Sequence, residues 1–254
     1  MPKFAANLTF LFKELPFLER FEAAAEAGFD AVEVLFPYDD AASAVVRRLT
    51  ASGLPMALIN TPPPNWAGGD RGFAAIPGGQ ARFRSDFKRA LRYAERLRPR
   101  HIHVMAGLAS GQAAHDTFIE NLAWAAALAR GQSLTIEPLN QVDMPGYFLN
   151  DFDLAAQIIA AVNAPNLSLQ YDAYHAQMIT GDAMAVWERH KTITRHIQIA
   201  SAPGRHEPAG GNIDFPGFFA RLDSWGYVGY VSAEYTPEGR TWDGLGWMKG
   251  GRNG

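Results

Sequence analysis

The sequence predicts an α/β fold in which eight parallel strands alternate with helices and close into a (β/α)8 TIM barrel. The length of 254 residues suits one such domain, so we assign residues 1–254 to a single barrel. Short β-rich runs alternate with longer helical stretches along the whole chain, which is typical of βαβ units and a parallel sheet. An open dinucleotide-binding sheet would need a Gly-rich turn after the first strand, where the chain has Asn7-Leu8-Thr9-Phe10 instead.

The first half of the predicted barrel contains an unusually long connection. We place strands at residues 3–9, 30–36, 55–60 and 101–105, and helices at 14–27, 40–52 and 81–97. In the first helix, Leu15, Leu18 and Phe21 recur on one face and Gly28 marks the end. Residues 61–80, after the third strand, are rich in Pro and Gly, and a loop of this length is usually functional or disordered.

The second half repeats the pattern with shorter connections. We place strands at residues 133–137, 167–171, 195–200 and 227–234, and helices at 113–130, 151–162, from the sixth strand to about 190, and 214–224. Gly131 closes the first of these helices, and Asp151 is a suitable N-cap for the second.

Composition excludes several classes of protein. The net charge is −3 and the chain has no cysteine, so neither nucleic-acid binding nor thiolate chemistry is favoured. No apolar run approaches the ~20 residues that span a bilayer, and no cleavable leader is evident, so we expect a cytoplasmic protein without a membrane partner. The phosphate-binding, zinc-protease and serine-hydrolase motifs are absent as well.

Four oxygen-bearing side chains lie at the C-terminal ends of the last four predicted strands: Glu137, Asp172, Gln198 and Glu234. Each is separated from the next by one βα unit, and strand ends converge at that face of a barrel. Carboxylates buried together repel one another, whereas a divalent cation would offset both the burial and the repulsion. Oxygen donors favour Mg²⁺ or Mn²⁺. The alternative is that each residue forms its own salt bridge at the rim of the barrel, but this would not explain why the four residues are spaced by one βα unit each.

Other polar residues are candidates for contact with a substrate. His175 follows Asp172 by three residues, and it is either a hydrogen-bond donor to substrate or a packing residue. Arg205, after the seventh strand, is suited to a substrate carboxylate. Trp66 and Arg71 in the long loop are candidates for a lid.

Two further sets of polar residues belong to the predicted interior. Asn7 and Glu33 lie on the first two strands. Asn7 is a candidate substrate-binding residue, and core hydrogen bonding is the expected role of Glu33. His101 and His103 share one face of the fourth strand, and we interpret both as structural.

Segments along nearly the whole chain resemble the hydroxypyruvate isomerase family, within the xylose-isomerase-like barrel superfamily. They are FDAVEVLFPY (29–38), NWAGGDRG (65–72), HVMAG (103–107), IEPLN (136–140), YDAYH (171–175), HIQIASAPGRHEP (196–208) and GLGWM (244–248). The resemblance implies that Glu137, Asp172, Gln198 and Glu234 hold a divalent metal and that Glu137 and Glu234 are the acid/base pair. Related epimerases and xylose isomerase tend to have His among the metal ligands, so Gln198 favours the hydroxypyruvate isomerase branch.

The expected activity is metal-assisted isomerisation of a small 2-oxo or hydroxy acid. Hydroxypyruvate and 2-hydroxy-3-oxopropanoate would interconvert by proton transfer through an enediolate. A 2-oxo-tetronate isomerase and, ranked lower, a ketose 3-epimerase are the alternatives. An apurinic endonuclease would want extra histidine ligands and a basic surface, and a non-catalytic sugar-acid binding protein would not need both glutamates. A homo-oligomer is expected from related barrels.

Overall fold

A computed structural model describes residues 2–63 and 65–248, and it shows one sheet of eight parallel strands. The strands are β1 (Lys3–Asn7), β2 (Ala31–Glu33), β3 (Leu58–Asn60), β4 (His101–His103), β5 (Ser133–Ile136), β6 (Leu167–Asp172), β7 (Thr194–Ile199) and β8 (Tyr230–Ala233). Their order in the sheet is β2-β1-β8-β7-β6-β5-β4-β3. The backbone N–H of Ala57 donates to the carbonyl of Val32 at 2.7 Å, and that of Val34 donates to the carbonyl of Leu58 at 3.2 Å. These bonds bring β2 beside β3 and close the barrel.

Helices cover the outside of the barrel. They are α1 (Arg20–Glu26), α2 (Ala42–Ser52), α3 (Gln80–Leu97), α4 (Gly111–Leu128), α5 (Phe152–Val162), α6 (Ala173–Thr180), α7 (Ala183–His190) and α8 (Phe215–Trp225). Their apolar faces pack against the sheet in one large core, in which Phe4, Phe118 and Trp187 are fully buried. Within the described residues, no helix is both long and apolar enough to cross a membrane. The predicted (β/α)8 fold is therefore confirmed.

Several predicted boundaries were wrong by a few residues. The first α-helix starts at Arg20 rather than residue 14, because Pro16 disfavours helical geometry at the residue before it, and a short 3-10 turn (Phe17–Glu19) intervenes. The helical region before residue 190 is two helices: Gly181, in the left-handed conformation, ends α6, and Asp182 caps α7 by accepting from the backbone N–H of Ala185.

The predicted long connection is present between β3 and α3. It contains turns and isolated bridging residues but no helix among its described residues, which exclude position 64. Gly72 in this loop has φ +99°, and a Cβ there would lie 2.3 Å from the carbonyl oxygen of Met105. The loop therefore packs its backbone directly against the segment that follows β4, at the same end of the barrel as the predicted site.

Candidate active site

Four polar side chains converge where β5 to β8 end. Glu137 follows β5, Asp172 is the last residue of β6, Gln198 lies one residue before the end of β7, and Glu234 follows β8. The parallel register sets Asp172 directly opposite Gln198. All four residues are buried. The structure thus brings together the four positions that the sequence pattern singled out.

Of the three carboxylates, that of Glu234 accepts the most hydrogen bonds. Its Oε1 accepts from Nη2 of Arg205 at 2.5 Å, and its Oε2 accepts from Nδ2 of Asn7 at 2.8 Å and from the amide nitrogen of Gln198. Asn7 also donates to Glu33 at 2.7 Å, and its Oδ1 accepts a backbone N–H two residues further on. Both ends of the Asn7 amide are therefore engaged within the protein, and Glu33 is a buried, hydrogen-bonded core residue as predicted.

Glu137, on the other side of the site, has a different environment. Its Oε2 accepts from Nε2 of Gln170 at 2.9 Å, and Nδ1 of His103 lies 3.5 Å from the same oxygen. Its Oε1 is buried and has no hydrogen-bond partner among residues 2–63 and 65–248. A buried carboxylate oxygen without a partner is costly in a folded protein, so this atom points to a ligand.

Asp172 lies between these two glutamates. Its Oδ1 accepts from the backbone N–H of Tyr174 at 2.8 Å, which caps α6, and its Oδ2 lies 3.4 Å from Nη2 of Arg205 and 3.7 Å from Nε2 of His175. One donor atom from each of Glu137, Asp172 and His175 falls within 4.8 Å of the others. These three residues form a group that could hold a metal ion.

The hydrogen bonds of His175 assign it a different part in this group. The backbone N–H of Asn140 donates to Nδ1 of His175 at 3.1 Å, so that nitrogen is the acceptor. Burial lowers the pKa of His175 well below its usual value, and the neutral ring therefore has its proton on Nε2. An N–H at Nε2 donates rather than ligates. The carboxylates are thus the better metal donors, and His175 directs an N–H toward the site.

The electrostatic balance of the site favours an added cation. Burial raises the pKa of Glu137 well above its usual value, and Glu234 and Asp172 raise it further. Burial likewise raises the pKa of Asp172 and of Glu234, although Arg205 opposes the shift in both. Burial alone would lower the pKa of Arg205, but the surrounding carboxylates outweigh it and the net shift is upward. Three carboxylates share one guanidinium, so a divalent cation with hard oxygen ligands fits the donor set and the unpartnered Oε1 of Glu137.

Trp66 and Arg71 contact each other at the end of the barrel that holds the site. The guanidinium carbon of Arg71 lies 3.8 Å from the centroid of the Trp66 ring, and its Nη1 donates to the Trp66 carbonyl at 3.0 Å. Nε of Arg71 lies 3.2 Å from Sδ of Met144, which belongs to the loop after β5. Neither side chain hydrogen-bonds to a site carboxylate in the described part of the chain. The structure thus places this pair on the rim.

Sequence reasoning missed three polar residues around the site. Gln170 is fully buried and donates to both Glu137 and Gln198. Thr135 supports Gln170, and Asn140 orients His175. The period of two along a strand contains the signal for Gln170, since it lies two residues before Asp172 and therefore on the same inward face.

The comparisons with known proteins agree with this architecture. The chain belongs to the xylose isomerase-like TIM barrel family, whose model matches residues 21–250. It is 48% identical to a 2-oxo-tetronate isomerase of Cupriavidus necator over 98% of each chain, and 38% identical to a hydroxypyruvate isomerase of Escherichia coli over 98% of each chain. A crystal structure titled AP endonuclease, family 2, from Brucella melitensis superposes with a TM-score of 0.95 at 46% identity, covering 98% of each chain.

Proposed function

We propose that this chain is a metal-dependent isomerase of a short 2-oxo sugar acid. The observation that supports this most directly is the group of three buried carboxylates, two of which contact Arg205, while Oε1 of Glu137 has no hydrogen-bond partner among the described residues. Such a site suits a substrate that brings its own carboxylate and two adjacent oxygens. The names of the full-length relatives support the same reaction class.

Glu137, Asp172, Gln198 and Glu234 would hold the cation through carboxylate and amide oxygens, and we assign Mg²⁺ or Mn²⁺. When bound, the cation supplies Lewis-acid stabilisation for the charge that develops on the carbonyl and hydroxyl oxygens of the substrate. We propose that His175 donates its Nε2–H to a substrate oxygen, which the acceptor role of its Nδ1 supports.

The two glutamates would differ in their parts in proton transfer. Glu234 is fixed by Arg205, Asn7 and Gln198, which stabilise its ionised form. The pKa is raised in both glutamates, but only Glu137 has a carboxylate oxygen without a hydrogen-bond partner among the described residues, which suits a group that accepts and returns a proton. We therefore propose that Glu137 removes the proton from the carbon that bears the hydroxyl, and that Glu234 faces it as the second acid/base group.

The substrate carboxylate requires a cation from the protein. Arg205 is the nearest one, because its guanidinium already contacts Asp172 and Glu234. We propose that Arg205 binds the substrate carboxylate and that Trp66 and Arg71 cover it from the rim. Asn7 contributes by holding Glu234 beside the substrate rather than by a free donor of its own.

Of the candidate acids, the four-carbon 2-oxotetronate is favoured over hydroxypyruvate. Three relatives named 2-oxo-tetronate isomerase are 40–48% identical to the chain, whereas the hydroxypyruvate isomerase of E. coli is 38% identical and a putative hydroxypyruvate isomerase of Homo sapiens is 40% identical. The Brucella protein is named an AP endonuclease, but the net charge of −3 of the present chain disfavours binding to DNA.

An isomerisation assay with 2-oxotetronate and hydroxypyruvate side by side tests the proposal. The samples are metal-stripped enzyme, enzyme reloaded with Mg²⁺ or Mn²⁺, and the Glu234→Gln variant, with Glu188→Gln on the surface of α7 as the matched control. We expect metal-dependent turnover of at least one acid that is lost in Glu234→Gln and kept in Glu188→Gln. No turnover of either acid by folded, metal-loaded enzyme would reject the proposal and direct the assay to ketose epimerisation.

A further inference from the structure

We propose that Gln170 is a positioning residue of this centre, which ties the carboxylate of Glu137 to the amide of Gln198 and, with Thr135 behind it, fixes the orientation of that amide. The inference rests on the proposed function, because it concerns the same site. It adds a buried residue that does not touch the substrate and that the strand-end pattern does not include.

A continuous series of hydrogen bonds crosses the barrel beneath the site. The hydroxyl of Thr135 donates to Oε1 of Gln170 at 3.0 Å. Nε2 of Gln170 donates to Oε2 of Glu137 at 2.9 Å and to Oε1 of Gln198 at 2.7 Å. Nε2 of Gln198 in turn donates to Glu33 at 2.6 Å and to Glu234. The two glutamates proposed for proton transfer are therefore joined through two amides.

The partners of each amide permit one orientation. In the metal-loaded enzyme proposed above, the carboxylate of Glu137 is ionised and only accepts hydrogen bonds, so the NH₂ group of Gln170 faces Glu137 and its oxygen faces the hydroxyl of Thr135. A flipped Gln170 would oppose oxygen to oxygen at both Glu137 and Gln198 and lose two bonds. With the correct orientation, Gln198 directs its NH₂ group toward Glu33 and Glu234, and its Oε1 keeps one lone pair for a cation.

Burial makes this arrangement sensitive to the loss of one partner. Gln170, Gln198 and Thr135 are at most 1% exposed, so water cannot replace a missing bond. If Thr135 no longer donates, the orientation of Gln170 is less firmly set; if Gln170 is removed, Glu137 loses its amide donor and Gln198 loses the bond that positions its oxygen. Removing a hydrogen-bond partner of a metal ligand commonly lowers metal affinity or activity by ~10–100-fold.

The test compares Gln170→Leu, Thr135→Val and Thr135→Ser, with Ser168→Ala as the matched control. Ser168 is buried on β6, opposite Thr135 in the register, but its hydroxyl donates to the carbonyl of Leu134 rather than to the site. The readouts are kcat and KM for the better acid, and the dissociation constant of Mn²⁺ measured by calorimetry on the full chain. The second readout does not depend on turnover.

We expect Gln170→Leu to lower kcat roughly 100-fold and to weaken Mn²⁺ binding at least tenfold, with KM changed less than kcat. Thr135→Val should lower kcat roughly tenfold, and Thr135→Ser, which keeps the hydroxyl, should restore it. Ser168→Ala should match the wild type.

A Gln170→Leu protein with kcat and Mn²⁺ affinity within twofold of the wild type would overturn the inference. If Gln170→Leu does not fold, equal behaviour of Thr135→Val and Thr135→Ser would overturn it instead. A wild type that isomerises neither acid would reject the proposed function, while the Mn²⁺ affinities would still decide whether Gln170 positions the ligands.

Discussion

Two sets of titratable side chains inside the barrel respond to burial in opposite ways. At the mouth, burial raises the pKa values of Glu137, Asp172 and Glu234. Deeper in the barrel, three histidines have lowered pKa values, about 2 for His101 and about 3 for His103 and His196. In each set the neutral form is favoured, because burial penalises whichever form is charged.

The partners available to each set make the difference between them. The carboxylates lie around Arg205, and among the described residues Oε1 of Glu137 has no hydrogen-bond partner, so a second cation can restore their charge. His101 bonds to the hydroxyl of Ser133, and a neutral ring satisfies that contact. His196 contacts Glu33, whose own pKa burial raises to about 7. The mouth is therefore built to gain charge on binding, and the deeper set is built to remain neutral.

The largest expected effect comes from removing a charge at the mouth. Glu137→Gln keeps the shape of the side chain but cannot accept a proton, so kcat should fall by roughly 10³-fold. The corresponding change in the deeper set, His101→Gln, should leave kcat within about threefold, because His101 hydrogen-bonds to Ser133 rather than to a carboxylate of the site. Steady-state kinetics on both variants measures this, and a similar loss of kcat in the two would contradict the assignment of different roles to the two sets.

Metal binding should stabilise the mouth and not the deeper set. The carboxyls have raised pKa values in the folded protein. Without metal, the stability that Glu234 contributes is therefore complete at low pH, and it is lost as the pH rises from the ordinary pKa of 4.5 through the folded value of about 8. Mn²⁺ at 100 times its dissociation constant should raise the free energy of unfolding by about 2.7 kcal/mol at pH 7.5. Urea unfolding with and without Mn²⁺ checks this. An equal gain in the Asp172→Asn variant at the same Mn²⁺ concentration would contradict it.

Arg205 tests whether the mouth also needs its own cation. Arg205→Gln removes the partner of Asp172 and Glu234, and it should raise KM for the acid substrate roughly tenfold or more through loss of a charge-assisted bond. Arg205→Lys should recover part of this, since a point charge replaces the planar group. Initial rates over a range of substrate concentrations measure both. An unchanged KM in Arg205→Gln would assign the substrate carboxylate to another group, with Arg71 the next to test.

The contrast between the two regions also shows what could be predicted from sequence. Strand ends in a parallel barrel converge, so the positions of Glu137 and Asp172 follow from counting βα units. The inward face of β4 follows from the period of two, which grouped His101 with His103. The partners of an amide such as Gln170 lie on other strands, and their registers are not encoded locally. The helix start near Arg20 was missed for a local reason, the restriction before Pro16.

The smallest expected effect concerns the stability of the deeper set. Burial is the main cause of the low pKa of His101, with the charges of His196, Arg100 and Arg195 adding to it. The unfolded chain takes up this proton below about pH 6.5 and the folded protein does not, so the stability that His101 contributes is complete above that pH and is lost as pH falls toward 2. His101→Gln should therefore reduce the slope of unfolding free energy against pH by about 1 kcal/mol per pH unit between pH 5 and 6.

Urea unfolding at those two pH values measures this slope, and Ser133→Ala is the matched control. That variant removes the hydrogen-bond partner of His101 and keeps the buried ring, so the pH slope should remain even if the overall stability falls. The carboxylates at the mouth contribute a slope of the opposite sign in the same pH range, so the measurement is best made with Mn²⁺ bound, which holds them ionised. If His101→Gln and the wild type have the same slope under these conditions, His101 is not kept neutral in the folded protein, and the proposed difference between the two regions is wrong for this residue.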